Sequence, residues 1–277
     1  MHLLRFHFFH IGDQIATTSI PENYFHETHD KLVIANDRIW AFKHNPYVVV
    51  ITPEEAQAYP PIDAVPDCRV KEQVQNYIKI TNSLAACSQA EYMGVSLGLS
   101  RKNIKLRHPR LYIYEDEKIV PNKLVVHTTG SDRTRDNEIA IRTSSGEDDV
   151  RIMSDAVIET ILKNYDEWQI VQVGSHDDKP VGGHCIDRRG QYDYWQTAKE
   201  ISTAARFIGV NSGPMHIANC YPRVEKRIVL MEFPKTTLLE YKPGDVRNWL
   251  FSWLDPKNTF FTKFDYDVGL AYSFKNL

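Results

Sequence analysis

The stretch Phe207-Ile208-Gly209-Val210-Asn211-Ser212-Gly213-Pro214-Met215-His216-Ile217-Ala218-Asn219-Cys220 decides how this chain folds. Phe207–Val210 is an apolar run of strand length, Asn211-Ser212-Gly213 is turn chemistry, and Pro214–Cys220 has the character of a helix. Ser212 stands where a helix N-cap belongs, so its hydroxyl is expected to accept a backbone N–H of the first turn. Pro214 suits the first helical position because it brings no donor that would be orphaned there. Gly213 removes a side chain that would block close approach of a ligand. The N–H groups of such a turn and the helix dipole together favour an anion. His216 is expected to project from the first turn and donate to a phosphate or sugar oxygen. Cap chemistry alone fits an ordinary capped helix equally well.

Outward from this stretch the pattern is strand, turn, helix, repeated. In the second half, Leu124–His127 is a buried-looking strand that runs into Thr128-Thr129-Gly130-Ser131, and residues 133–149 are polar and loop-like. Val150–Asn164 carries apolar residues at helical spacing, Gln169–Val173 is a strand closed by Gly174-Ser175, Tyr194–Ala205 is helical and Arg227–Leu230 is one more strand. The first half repeats the alternation with strands at Leu3–Phe9, Lys31–Ala35, Tyr47–Ile51 and Ile104–Tyr114 and a helix over Glu72–Leu97. Alternation of this kind builds parallel sheets, which gives an α/β fold in two units. The boundary is expected in the charged stretch Glu115–Asn122, where Pro121 interrupts the pattern. That makes residues 1–118 one domain and 119–277 the other. The aromatic tail beyond Pro243, with Trp249, Phe251, Trp253, Phe260, Phe261 and Phe264, is expected to pack back on the first domain.

Composition limits the function. Of 277 residues, 42% are hydrophobic and 25% charged, enough for packed cores, and a net charge of −3 argues against a protein that coats nucleic acid. No apolar run approaches the roughly 20 residues of a membrane span, and His7, Arg5 and His10 break up any signal-peptide core. A cytoplasmic protein is the expectation. Cys68, Cys87, Cys185 and Cys220 lie far apart and read as free thiols. His26-Glu27-Thr28-His29 is not the metal-binding H-E-x-x-H, so no metal and no cofactor are expected.

Ile208–Ala218 resembles the C-terminal signature of glycosyltransferase family 9, the heptosyltransferase-like enzymes: hydrophobic–Gly–x–Asp–[Ser/Thr]–Gly–x–x–His–x–Ala. Ile11-Gly12-Asp13-Gln14-Ile15-Ala16-Thr17-Thr18 resembles the family's first loop, and His127-Thr128-Thr129-Gly130-Ser131 is a weaker third match. The resemblance implies a GT-B architecture, two Rossmann-like domains with a cleft between them. It also implies inverting, metal-independent transfer of a sugar from a nucleotide-diphosphate donor to an acceptor hydroxyl of a glycan or glycolipid. Asp13 would be the general base, with Thr17 and Thr18 fixing its loop and His10 lining the cleft. Thr128, Thr129, Ser131, Arg133 or Arg135, Gly174, Asn211, Ser212, Gly213, Met215 and His216 would hold the donor. Asn211 departs from the family's Asp, removing a charge from that contact. The bland reading of Asp13 is a helix cap. A non-catalytic nucleotide-sugar-binding protein, a scaffold domain, and a related epimerase or hydrolase all stay open, as do the oligomeric state and a peripheral membrane contact.

Overall fold

The computed structural model describes residues 1–5, 11–35, 40–63, 94–95, 97–104, 108–130, 152–230, 259–262, 271–273 and 277. The chain divides into two compact units, one of Met1–Ile113 with Asp245–Asp255 and one of Tyr114–Gly244 with Pro256–Leu277.

The first unit contains β1 (Leu3–Arg5), α1 (Ile11–Ala16), α2 (Ile20–Thr28), β2 (Leu32–Ala35), β3 (Val48–Ile51), α3 (Pro53–Ala56) and β4 (Pro61–Asp63). Its four strands form a parallel sheet in the order β3-β2-β1-β4. Leu32, Val33 and Ile34 are all fully buried, as expected of a strand covered on both faces. The buried hydroxyls of Thr17 and Thr18 donate to the carbonyls of Gln14 (3.0 Å) and Ile15 (2.8 Å) and close α1. Asn45 donates to the Thr18 carbonyl at 2.9 Å, and the Arg110 N–H donates to the Thr18 hydroxyl at 2.7 Å. The end of α1 is thereby fixed from two other segments of the chain.

The second unit contains β5 (Val120–His127), α4 (Asp155–Asn164), β6 (Gln169–Gln172), β7 (Ile186–Asp187), α5 (Tyr194–Ser202), β8 (Ala204–Val210), α6 (Gly213–Asn219), β9 (Glu225–Leu230), β10 (Thr259–Thr262) and β11 (Ala271–Ser273). These strands form one parallel sheet in the order β11-β10-β9-β8-β5-β6-β7. The chain first builds outward from β5 through β6 to β7, then returns to the other side of β5 with β8. The sheet therefore has a topological switch point between β5 and β8, and ligands of open α/β sheets bind outside the strand carboxyl ends at such a point. Beneath it lies a core of Leu124, Val126, Met153, Val157, Ile161, Ile170, Ile208 and Val210 with Leu277. Each such burial contributes about 1.5–3 kcal/mol.

Several sequence expectations need correction. Ile104–Tyr114 forms no strand over its described residues: Tyr112 and Tyr114 take positive φ values of 58° and 59°, which break an extended run. Pro121 does not end an element but lies inside β5. Its end of the strand is exposed, and pairing with β8 shifts register between Val120 and Leu124, so no buried ladder bond is lost. Ile152 and Met153 precede α4; Ile152 bridges to Thr129 and Met153 is buried. The α5 helix stops at Ser202, and Ala204 already belongs to β8. The Gly12-Asp13 pair, expected as a loop, is helical within α1. Most of the expected helix over residues 72–97 lies outside the described residues. So do Trp249, Phe251, Trp253 and Phe264 of the tail, while Phe260 and Phe261 sit in β10 of the second unit's own sheet.

Candidate functional site

Three strand ends meet at the switch point. β5 delivers His127, Thr128 and Thr129, β6 runs through Val173 into Gly174 and Ser175, and β8 delivers Asn211 and Ser212. The loop after β6 is locked onto the end of β5. The Thr128 hydroxyl donates to the Lys179 carbonyl at 2.5 Å, and the Lys179 N–H donates to the Thr129 hydroxyl at 2.9 Å. Buried Gln172 donates to the Thr128 hydroxyl (3.1 Å) and the Lys179 carbonyl (2.7 Å), and its own carbonyl accepts the Val181 N–H at 2.7 Å. Lys179 itself reaches Asp155 at 2.7 Å, at the start of α4.

This locked loop presents Asp178. Its Oδ2 accepts the Ser175 N–H at 3.0 Å and lies 3.2 Å from His127 Nε2. The other ring nitrogen, Nδ1, is 2.9 Å from the Ser212 hydroxyl. The imidazole and carboxylate side chains are only 5% and 10% exposed, so the pair is shielded from water. Gly174, with φ at 135°, makes the arrangement possible. A Cβ there would overlap the Asp178 carboxylate and come within 3.0 Å of His127 Cδ2. Arg189 donates to the Asp178 carbonyl and is held by Asp187 through contacts of 2.9 Å and 2.7 Å. The Arg189 hydrogen bond keeps the Asp187 carboxyl below its usual range.

The turn after β8 differs from the expected cap. Ser212 has extended backbone angles, and its side chain makes no capping bond. Its hydroxyl instead sits between His127 and the Val210 carbonyl, at 2.9 and 3.2 Å. The buried imidazole is the better-placed partner and draws the side chain away from the helix. The Met215 and His216 N–H groups are taken by the Ser212 carbonyl, at 3.1 and 3.3 Å. His216 does not project into solvent but is buried, as is Met215, so neither side chain is presented at the surface. Gly213 and half-buried Asn211 complete the turn.

Of the residues expected to act, Thr128, Thr129, Gly174, Asn211, Ser212 and Gly213 gather at this carboxyl edge. Asp13 lies in α1 of the first unit. Ser131, Arg133, Arg135 and His10 lie outside the described residues, as do Cys68 and Cys87. Among the described residues, Cys185 and Cys220 are free, and burial pushes the Cys185 thiol up to about 11. The described residues contain no cluster suited to a metal, and no described helix is long and apolar enough to cross a membrane.

No protein-family model matches the chain, and no curated protein is detectably similar in sequence. Solved structures are similar throughout. A glycosyl transferase family 9 protein from Veillonella parvula superposes with a TM-score of 0.56 at 13% identity, over 94% of this chain and 85% of its own. The E. coli heptosyltransferase WaaC with ADP gives 0.58 at 11% identity, over 100% of this chain and 97% of its own. The chain has the GT-B fold. The iron-containing dodecameric glycosyltransferase TibC from enterotoxigenic E. coli gives 0.57 at 14% identity, over 83% of this chain and 57% of its own. In this GT-B chain, the second unit's 3-2-1-4 core order, counted from β7 to β8, is the dinucleotide-binding order.

Proposed function

We propose that this protein is an inverting, metal-independent glycosyltransferase that moves a sugar from a nucleoside-diphosphate donor to an acceptor hydroxyl of a glycan or glycolipid. One observation carries the proposal: residues from three separate stretches (Thr128 and Thr129, Gly174, Asn211 to Gly213) converge at the switch point of a parallel sheet in a chain with the GT-B fold. The donor diphosphate occupies that edge, within reach of Ser212 and the Gly213 turn, with Arg133 as a candidate counter-charge. Asp13 is the general base. It takes the proton of the acceptor hydroxyl as that oxygen bonds to the anomeric carbon. The bond from this carbon to the diphosphate oxygen breaks, and its electron pair leaves with the nucleoside diphosphate. A single displacement inverts the anomeric configuration. The donor residues need only stabilise negative charge that grows on the leaving group, a task fixed hydrogen-bond donors perform well.

A panel of nucleotide sugars with candidate acceptors tests the reading, run with and without a chelator. Asp13→Ala is expected to bind donor nucleotide like the parent while losing transfer by about 10²- to 10⁴-fold. Undiminished transfer would remove Asp13 from the mechanism. Chelator-sensitive transfer would overturn metal independence. Donor consumption without any acceptor would redirect the assignment to an epimerase or hydrolase, and binding without turnover to a nucleotide-sugar-binding protein.

A further inference from the structure

The string Asp178–His127–Ser212 is unexplained by donor binding alone. Ser212 has a single hydroxyl proton and two neighbours that compete for it, His127 Nδ1 at 2.9 Å and the Val210 carbonyl at 3.2 Å. A carbonyl only accepts. The imidazole does either, according to its proton count. Its opposite nitrogen faces the Asp178 carboxylate at 3.2 Å, and a carboxylate that already accepts the Ser175 N–H at 3.0 Å is an acceptor there. Nε2 therefore carries a hydrogen in every state of the ring. In the neutral ring Nδ1 is then bare and takes the Ser212 proton, and the hydroxyl shows only lone pairs outward. In the protonated ring Nδ1 donates to Ser212, and the hydroxyl proton passes to the Val210 carbonyl or to a stronger, anionic acceptor outside. A phosphoryl oxygen, itself only an acceptor, meets repulsion in the first state and a donor in the second.

We propose that His127 and Asp178 are positioning residues acting through Ser212. Binding of a nucleoside diphosphate at the switch point takes one solvent proton onto the His127 imidazole and turns Ser212 into a donor to a phosphoryl oxygen. The proposal rests on the donor reading above. It stands on the buried string rather than on the end of α6. The surroundings are built for it. Gly174 leaves no Cβ where one would strike the Asp178 carboxylate, and the loop that carries Asp178 is pinned to Thr128, Thr129 and Gln172. The other titratable groups described on the adjoining elements are His176, Asp177 and Lys179 on the same loop, Arg189 after β7 and His216 on α6. Lys179 pairs with Asp155, while Arg189 pairs with Asp187 and its charge also acts on Asp178, so the carboxylate that faces His127 shares the field of a second cation. During transfer the same hydrogen bond strengthens as charge develops on the leaving diphosphate, which places the relay on the leaving-group side of the reaction.

Calorimetric titration of the full chain with ADP, in buffers of different ionisation enthalpy, counts protons taken up on binding. On the alkaline side of neutrality, where the diphosphate no longer titrates, the expected count is close to one. The affinity should fall about tenfold per pH unit there. His127→Gln is expected to bind ADP with a count near zero and a flat pH profile. Ser212→Ala, a change at a half-buried hydroxyl, keeps the test decisive if the histidine variant does not fold: it too should lose the uptake. A merely structural string would leave the proton count untouched. ADP binding without proton uptake, or unchanged uptake in Ser212→Ala, overturns the relay and leaves the donor reading standing. Failure of ADP, GDP and UDP all to bind would overturn the donor reading and the relay with it.

Discussion

Gly174 shows how much of the site hangs on one missing carbon. At φ 135° an L side chain is strained whatever surrounds it, and here a Cβ would also strike the Asp178 carboxylate. Gly174→Ala is therefore expected to cost roughly 1–3 kcal/mol of stability, read as a lower urea midpoint with an unchanged slope. It should also push Asp178 off His127, so nucleotide affinity should suffer beyond what the lost stability explains. An alanine variant as stable as the parent would mean that the loop relaxes without loss. At this scale the sequence was legible in part. Gly174 and Ser212 stand out as a turn residue and a cap residue, and both lie at the switch point of the second sheet. The role of Ser212 was not legible, because the cap rule looks two or three residues along the chain and the imidazole that claims the hydroxyl comes from position 127. Asp178 carried no signal at all. Nothing in Ser175-His176-Asp177-Asp178 distinguishes the carboxylate that meets His127 from its neighbour.

Paired elements were more readable than their ends. Strands β2, β3, β6 and β9 fall where β-rich runs stop at turn residues. β5 is legible only in its buried half, since Val120 to Asn122 are exposed and hold a proline. The neighbouring strands β8 and β9 are joined at their amino ends by a cluster no periodicity reveals. Arg206 and Glu225 are register partners and form an ion pair. Arg227 reaches the same carboxylate at 2.9 Å, and Arg206 lies over the rings of Tyr165 (5.3 Å) and Trp168 (5.2 Å). Burial pushes the Glu225 carboxyl up, but the two guanidiniums outweigh it and hold it below its usual range. A carboxyl with a lowered folded pKa stabilises above its unfolded pKa, and the contribution disappears as pH falls through the folded value. The side chain is 44% exposed, so solvent screening keeps the contribution to about 0.5–1 kcal/mol. Glu225→Gln should be less stable than the parent by that amount near neutral pH. The gap in urea midpoint should close below the carboxylate range; a gap independent of pH would assign the loss to packing.

Across the whole molecule, the alternation of strands and helices was enough to expect two parallel-sheet units, and both sheets are parallel over their described strands. The strand order was not legible. Alternation says that β8 follows β6 with a helix between, but shows neither the short strand β7 nor that β8 crosses back to the far side of β5, and it is this return that creates the switch point. Tail residues show the same limit: aromatic density does not say which element each ring joins, and Phe260 and Phe261 extend the second sheet. If the donor edge lies on the second unit, ligand binding must report there. A nucleoside diphosphate at about a hundred times its Kd should raise the free energy of unfolding by roughly 2.7 kcal/mol. Amide exchange should slow in the residues that frame the switch point, 127–130, 173–181 and 210–216, because groups that must order around the phosphates open less often once these are held. The strands of the first unit should change little with nucleotide alone, since Asp13 is proposed to act on the acceptor. Protection centred instead on β1 and α1 would move the nucleotide to the other unit and exchange the donor and acceptor roles proposed for the two.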